Sequence, residues 1–287
     1  MRIGVLSHSR FLYTTRRLVD AAKLRGHDVR VVSAHDCMLA LEGGAPTLRW
    51  RGKKPPAADV VIPRLDAPEH AHTLAMLRHL ELLGIPLLNP VPAMALSLDL
   101  VATLQFLHAH NLPSPPSVAA PAGGLAAAAA ELGGPPLLLR AVERGPEPDA
   151  LVQDSAILES MAGLLARLGK RLLLQKIQAG TSVRVLVVGG DVVAALRRRV
   201  LPGMPATEGA GKRVEISAPV AAMAAKAVRD AGLEAGAVDL LLTGQGAMVL
   251  NLEASPVLRG IERQAREAFV AALLARAEAR GVSRIPV

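Results

Sequence analysis

The sequence predicts an α/β fold over its first hundred residues, followed by an α+β region. In the first part, short apolar runs alternate with segments whose apolar residues recur at helical spacing, beginning with residues 2–7 and 13–25. This alternation indicates parallel strands joined by right-handed crossovers. In the second part, apolar runs occur in adjacent pairs around glycine-rich turns, which is typical of antiparallel strands. Aromatic residues make up only 2% of the chain, so its core must be aliphatic.

The first part divides into elements at glycine and proline. Gly26 and Gly84 end two predicted helices, and Pro113 follows a third. The predicted elements are strands at 2–7, 27–34, 58–65 and 85–90, helices at 13–25, 69–83 and 92–111, and a hairpin around 43–55.

The second part begins with an alanine-rich, low-complexity segment, 121–136, which predicts a short helix between two glycine- and proline-containing ends. The clearest antiparallel pair flanks Gly189 and Gly190. This pair covers residues 182–200, and the other predicted strands are at 137–143, 171–177, 236–242 and 247–253. The predicted helices are at 155–169, from Pro219 to about 232 and at 259–280, and a loop is predicted at 202–211.

The composition limits the kinds of partner and compartment. With 33 Lys and Arg against 25 Asp and Glu, the net charge is +8, which favours an anionic partner. The few aromatic residues argue against a stacking platform for single-stranded nucleic acid, and no nucleic-acid partner is expected. A single cysteine, Cys37, rules out an intramolecular disulfide and a cysteine zinc cluster. No signal peptide or membrane span is recognised, so a cytoplasmic protein is expected.

One group of polar residues lies on the last predicted strand pair. Asn251 and Glu253 are two positions apart, so they face the same side of a strand, and Asp239 can lie beside them on the neighbouring strand. Two carboxylates and an amide oxygen are ligands that suit Mg²⁺, especially when phosphate also binds the ion. The alternative is that these residues face solvent or pair with the arginines at 197–199.

The chain resembles the RimK-type glutamate ligases of the ATP-grasp superfamily along nearly its whole length. The stretches that carry the resemblance are RIGVLS with Tyr13 and Arg17, Leu24–His27, Arg51–Lys54, Val61–Arg64, Leu88–Asn89, Gly133–Leu137, Val183–Gly189, Asp191–Ala195, Asn251–Pro256 and Gly260–Glu262.

The resemblance implies an ATP-grasp architecture in three parts. These are an N-terminal Rossmann-like (pre-ATP-grasp) domain at 1–91, a linker helix and small central domain at 92–178, and a C-terminal antiparallel-sheet domain at 179–287. It also implies ATP and Mg²⁺ between the last two domains, a peptide or small-molecule acceptor, and a homo-oligomer. By the same resemblance, Asp239, Asn251 and Glu253 would bind the metal, while Arg184 and Arg64 would bind a substrate carboxylate.

The nucleotide site departs from the family pattern at several positions. The residues matched to it are Arg140, Gln175, Lys176, Ile177 and Arg197. Arginine replaces a phosphate-contacting lysine at 140, and Leu98–Asp99–Leu100 lacks another such lysine. The loop at 143–150 has one glycine and two prolines, so it offers few backbone N–H groups to a phosphate. The metal strand reads Asn251-x-Glu253, the reverse of the family order.

Two functional hypotheses follow. Since the departures cluster in one site, the first is a degenerate, non-ATP-hydrolysing member that acts as a binding or partner subunit. The alternative is an active ATP- and Mg²⁺-dependent carboxylate–amine ligase that adds a glutamate-like amino acid to an acceptor through an acylphosphate. The first hypothesis is compatible with a positively charged cleft that holds an anion other than ATP.

Overall fold

The structure is a computed structural model that describes residues 1–43, 45–64, 70–143, 149–167, 169, 171–198 and 211–282. Its N-terminal part comprises β1 (Arg2–Leu6), α1 (Tyr13–Leu24), β2 (Asp28–Val32), β3 (Cys37–Glu42), β4 (Ala45–Trp50), β5 (Val60–Pro63) and α2 (His70–Leu82). Strands β1, β2 and β5 form a parallel sheet in the order β2-β1-β5, in agreement with the predicted α/β pattern. The hairpin β3-β4 begins six residues before the predicted position, and among the described strands β3 and β4 pair only with each other.

The segment 85–90 was predicted as a strand, and this prediction is wrong. Only an isolated parallel bridge joins Val61 to Leu87. Pro86 has no N–H to donate, so the ladder cannot continue through it. The side chain of Asn89 instead connects the segment to the C-terminal part by hydrogen bonds. Its buried side-chain amide donates to the carbonyls of Ala235 and Ala254, at 2.8 and 2.9 Å, and its oxygen accepts from two backbone N–H groups.

The middle of the chain forms a second, four-stranded sheet. Its elements are α3 (Val91–Leu98), α4 (Leu100–Ala109), β6 (Ser117–Ala120), α5 (Leu125–Glu131), β7 (Leu137–Ala141), β8 (Ala150–Val152), α6 (Ser155–Arg167) and β9 (Leu172–Lys176). The sheet has the order β6-β9-β7-β8 and is antiparallel throughout. The short strands β6 and β8 lie at its edges and were not predicted, because three or four residues carry too little periodicity to identify a strand.

The predicted connecting helix at 92–111 is two helices, and Asp99 causes the break. Its backbone is extended, and its carboxylate accepts a hydrogen bond from the N–H of Ala102 at 2.9 Å, so it caps the start of α4. The carboxylate also forms an ion pair with Arg171. Burial acts to raise the pKa of Asp99, but these hydrogen bonds and the charge of Arg171 outweigh it and hold the pKa below its usual value.

Replacing Asp99 by alanine should lower the free energy of unfolding by about 1 kcal/mol, the usual value of a lost helix cap. Asp99→Asn keeps the capping oxygen and should lose less. Because the folded-state pKa is depressed, the contribution of the charge is present above the unfolded-state pKa and fades as the pH falls through the folded-state value. Urea unfolding at neutral and acidic pH measures both effects. Equal losses for the two variants at neutral pH would contradict the capping role.

The C-terminal part contains the largest sheet. Its elements are β10 (Thr181–Val188), β11 (Asp191–Arg198), β12 (Gly211–Arg213), α7 (Ala218–Asp230), β13 (Ala235–Thr243), β14 (Gly246–Glu253) and α8 (Arg263–Val282). The sheet is antiparallel with the order β12-β11-β10-β13-β14. Strand β12 overlaps the end of the predicted loop at 202–211, whose other residues lie outside the described part of the chain.

The core is aliphatic, as predicted. Two large clusters of buried Leu, Val, Ile and Ala side chains lie around the C-terminal sheet; one includes residues of α7, and the other joins residues of α8 to the N-terminal parallel sheet. A smaller cluster fills the space between the middle sheet and its helices. Among the described residues, no helix is both long and apolar enough to cross a membrane.

Candidate functional site

A row of polar side chains crosses the C-terminal sheet on three neighbouring strands. The strand register pairs Arg184 on β10 with Asp239 on β13, and Asp239 with Asn251 on β14. Residues paired in this way project from the same face of a sheet, and Glu253 follows Asn251 by two positions on that face. The structure thus places the three residues predicted to bind metal beside Arg184.

Arg184 forms a buried salt bridge with both carboxylates of this row. Its Nε and Nη2 donate to the two oxygens of Asp239 at 2.7 and 2.8 Å, and Nη2 lies 2.9 Å from Oε2 of Glu253. The Arg184 side chain is 0% exposed, that of Asp239 2% and that of Glu253 15%. Glu253 is therefore the acidic member that a ligand reaches first.

The two carboxylates of this row stabilise the charged form of Arg184. Burial acts to lower the pKa of Arg184, but the charges of Asp239 and Glu253 and the hydrogen bonds to them outweigh burial and raise this pKa above its usual value. The guanidinium is therefore always charged and is stabilised by two carboxylates. Two negative charges against one positive charge leave the row with a formal charge of −1.

The donor chemistry of this row fits Mg²⁺. Asp239, Asn251 and Glu253 offer carboxylate and amide oxygens, which are the ligands this ion takes in proteins. Among the described residues no three His, Cys, Asp or Glu side chains are grouped so that they could hold a metal, so the candidate site depends on the amide of Asn251 as its third ligand. The Nδ2 of Asn251 donates to Asp239 at 3.3 Å, which directs an N–H group of the amide at that carboxylate.

Arg140 connects the middle sheet to this row. It lies on β7, it is 5% exposed, and its Nη1 is 3.3 Å from the backbone oxygen of Leu250, the residue before Asn251. The same nitrogen donates to Oε1 of Gln175. The Nε of Arg140 lies 3.2 Å from Oδ1 of Asp149, close enough for an ion pair, yet this buried donor makes no hydrogen bond within the described part of the chain. A buried guanidinium with an unused donor fits a phosphate oxygen.

The other residues matched to the nucleotide site follow along β9. Gln175 is buried, and its Nε2 donates to the hydroxyl of Ser117 at 2.9 Å, so its side chain supports Arg140 from within the sheet. Lys176 is exposed at the end of the strand, and Ile177 is half-buried just beyond it. Their roles toward a nucleotide remain predictions.

Two predicted site residues lie away from this row. Arg197 pairs with Val183, the neighbour of Arg184, so strand alternation places it on the opposite face of the sheet. Arg64 is buried at the carboxyl end of β5 and lines a small cavity with residues that include His8, His35 and Thr73. The residues at 199 and 144–148 lie outside the described part of the chain.

Sequence reasoning did not identify two of the contacts around Arg140. Leu250 takes part through its backbone oxygen, and a backbone contact leaves no trace in the residue type. Asp149 belongs to the loop at 143–150, which was considered for its scarcity of backbone N–H groups. The structure places the Asp149 carboxylate 3.2 Å from the Nε of Arg140.

Comparison with known proteins identifies similar sequences and folds. Residues 1–94 match the RimK PreATP-grasp domain, and residues 152–276 match the RimK-like ATP-grasp domain. The chain is 33% identical, over 91% of its length and 90% of the relative, to a probable alpha-L-glutamate ligase of Serratia proteamaculans. A RimK domain ATP-grasp protein from Sphaerobacter thermophilus superposes with a TM-score of 0.74 at 24% identity, over 96% and 98% of the two chains. The ATP-grasp ligase PsnB, complexed with minimal precursor, Mg and ADP, gives a TM-score of 0.68 at 20% identity and covers 96% and 98%.

These findings confirm the predicted ATP-grasp fold with its pre-ATP-grasp N-terminal domain and antiparallel C-terminal sheet. The domain boundaries at 91 and 178 remain predictions. The relatives are named as ligases, which favours the alternative functional hypothesis over the degenerate one. Neither the family match nor the named relatives support the predicted degenerate site.

Proposed function

The chain belongs to the RimK-like ATP-grasp family, and from this premise we propose that it is an ATP- and Mg²⁺-dependent carboxylate–amine ligase. It would join a glutamate-like amino acid to a peptide or small-molecule acceptor. In this reaction a carboxylate takes the terminal phosphoryl group of ATP, which yields an acylphosphate and ADP. The amine then attacks the acyl carbon, the bond to the phosphate oxygen breaks, and the amide forms with release of phosphate and a proton.

The contact between Arg140 and Leu250 is the observation that carries this proposal. It brings a buried guanidinium of the middle sheet against the strand of Asn251 and Glu253 in the C-terminal sheet. A ligase that activates a carboxylate with ATP needs a cation for the phosphates beside oxygen ligands for the metal. In this chain Arg140 on the middle sheet would supply the cation, and the C-terminal sheet would supply the oxygen ligands.

Each residue of the site has a defined task in this mechanism. Asp239, Asn251 and Glu253 would hold the ion. Its positive charge would offset the negative charge of the phosphates. Arg140 would direct its unused Nε–H at a phosphate oxygen. Arg184 fixes the Asp239 carboxylate by two hydrogen bonds and so orients a ligand in advance.

Arg184 was predicted to bind a substrate carboxylate. Its Nη1 is buried and has no hydrogen-bond partner among the described residues, so one donor remains for such a role. The side chain has no exposed surface in this conformation, so a substrate would reach it only after a neighbouring side chain moves. The roles of Arg184 and Arg64 toward substrate are therefore proposals, as is a homo-oligomeric state.

A second candidate function rests on Asp149. Its carboxylate lies 3.2 Å from the Nε of Arg140, the donor that the first proposal assigns to a phosphate, and an acidic group there opposes nucleotide binding. This contact favours a member of the family that does not hydrolyse ATP and acts as a binding or partner subunit. The ligase names of the relatives support the first candidate instead.

Thermal unfolding with and without MgATP separates the two candidates. A ligand at 100-fold its Kd stabilises the folded state by about 2.7 kcal/mol, so a ligase should show a midpoint raised by several degrees, and EDTA should reduce the shift. Glu253→Gln, which removes one ligand charge, should lose the Mg²⁺-dependent part of this shift. The exposed Glu215→Gln is the matched control and should retain it. A ligase should also release ADP when glutamate and a peptide acceptor are added. No shift at millimolar MgATP would refute the ligase proposal and favour the second candidate.

A further inference from the structure

A cluster of three arginines surrounds the ring of Tyr13 on the surface. The guanidinium carbons of Arg17, Arg259 and Arg266 lie 5.5, 5.9 and 5.7 Å from the ring centre. Arg17 and Arg259 are exposed, and Arg266 is half-buried. Together with Tyr13 these residues are called the Tyr13 arginine cluster.

The positive charge of this cluster is not neutralised by an ion pair within the described part of the chain. None of the three arginines forms an ion pair there, whereas Arg263, on the same helix as Arg266, lies 3.9 Å from Glu267. Three like charges around one ring repel one another at distances within the Debye length. Each cation–π contact at an exposed site offsets only a small part of this repulsion. The arrangement is therefore suited to an anionic partner.

The first turn of α1 adds to the positive potential. Tyr13 is the first residue of this 12-residue helix, no acidic residue lies in the first turn, and the N-cap Leu12 makes no side-chain hydrogen bond to the turn. The positive end of the helix dipole therefore points toward the same region. Thr14 of this turn accepts a hydrogen bond from the N–H of Leu258 at 3.0 Å, which fixes the 258–259 loop against the helix.

The cluster is connected by a short path to the candidate active site. Arg259 follows Glu253 by six positions, and an extended chain of that length spans at most about 20 Å. The exposed ring of Phe11 lies near the start of the same helix; it is 72% exposed and lies 4.8 Å below the guanidinium of Arg10. Exposed aromatic and guanidinium groups on several neighbouring residues suit an extended peptide better than a compact ion.

We propose that the Tyr13 arginine cluster binds the acidic side chains of a peptide acceptor while the reacting end of that peptide lies near Glu253. This inference rests on the proposed ligase function and names its acceptor class as a carboxylate-rich peptide. Arginine forks hold carboxylates with two parallel hydrogen bonds, so acidic residues a few positions from the reacting end would be selected. Binding at this surface requires neither ATP nor Mg²⁺.

The test measures binding of a fluorescently labelled glutamate-rich peptide, about ten residues long so that it spans the ~20 Å path, by anisotropy without nucleotide. The wild-type protein should bind this peptide more tightly than its glutamine counterpart, and added salt should weaken binding. Arg259→Glu with Arg266→Glu should weaken binding about 10-fold or more, because two attractive charges become repulsive. Arg259→Glu alone, at an exposed position, should give a smaller loss. Arg167→Glu, an equal charge change on the exposed end of α6, is the matched control and should have little effect.

The outcomes separate this inference from the ligase proposal. Equal binding of both peptides, or wild-type affinity in the double variant, would overturn the peptide site. Displacement of the peptide by inorganic phosphate at equal charge concentration would also overturn it, since the surface would then be a general anion site. The MgATP-dependent thermal shift, measured on the same variants, should persist. If this shift is absent from the wild-type protein while peptide binding depends on the cluster, the ligase proposal fails and the binding surface remains.

Discussion

Replacing Asp239 by alanine should lower the free energy of unfolding by about 3–5 kcal/mol, because it leaves a buried guanidinium without its main partner. Arg184 is fully buried and donates two hydrogen bonds to Asp239. The remaining carboxylate, Glu253, is 15% exposed and lies 2.9 Å from the Nη2 of the same arginine. It compensates only part of the charge. Chemical denaturation measures the loss, with the slope against denaturant used to detect a change in the unfolded state.

Two further variants identify the cause of this loss. Arg184→Met combined with Asp239→Leu removes both charges and should be more stable than Asp239→Ala alone, because buried ion pairs are often replaced by apolar residues at little cost. Glu253→Gln retains the Asp239 pair and should lose less than Asp239→Ala. A loss below about 1 kcal/mol for Asp239→Ala would mean that the pair is solvated, as exposed salt bridges are.

Replacing Arg140 by leucine should reduce kcat/KM of the ligase reaction by about 100-fold or more, the loss expected when a preorganised electrostatic contact to a transition state is removed. The side chain is buried against Gln175 and the backbone of Leu250, so its position is fixed before a nucleotide binds. The MgATP-dependent thermal shift should decrease in parallel. Arg140→Lys keeps the charge but loses the planar fork, so an intermediate effect is expected.

Asp149 provides a complementary variant for this prediction. Its carboxylate competes for Arg140, so Asp149→Asn should strengthen binding of nucleotide or phosphate rather than weaken it. Arg167→Leu, on the exposed end of α6, is the control for loss of one positive charge. Wild-type activity in folded Arg140→Leu would remove Arg140 from the nucleotide site. Unchanged anion affinity in Asp149→Asn would show that the ion pair does not compete with ligands.

Most helices and strands were predicted because their determinants are local. The hairpin β10-β11 turns at Gly189 and Gly190, both with positive φ, which is the backbone conformation that a two-residue glycine turn supplies. Helix α1 begins at the predicted residue and ends within one residue of the predicted position, ahead of Gly26. Two of the errors occurred where a single residue overrode the pattern. Asp99 interrupts an otherwise continuous helical pattern, and Pro86 interrupts a strand-like one.

The sequence by itself determined the ATP-grasp fold and the strands that carry the candidate site. Residue types at a spacing of two gave Asn251 and Glu253 a common face, and pairing through the preceding turn set Asp239 beside them. Only the tertiary structure decided what these groups face. Arg184 lies on a strand 55 positions from Asp239 in the chain, and Arg140 comes from another sheet. Such contacts depend on the packing of distant segments, and neither periodicity nor residue spacing contains that information.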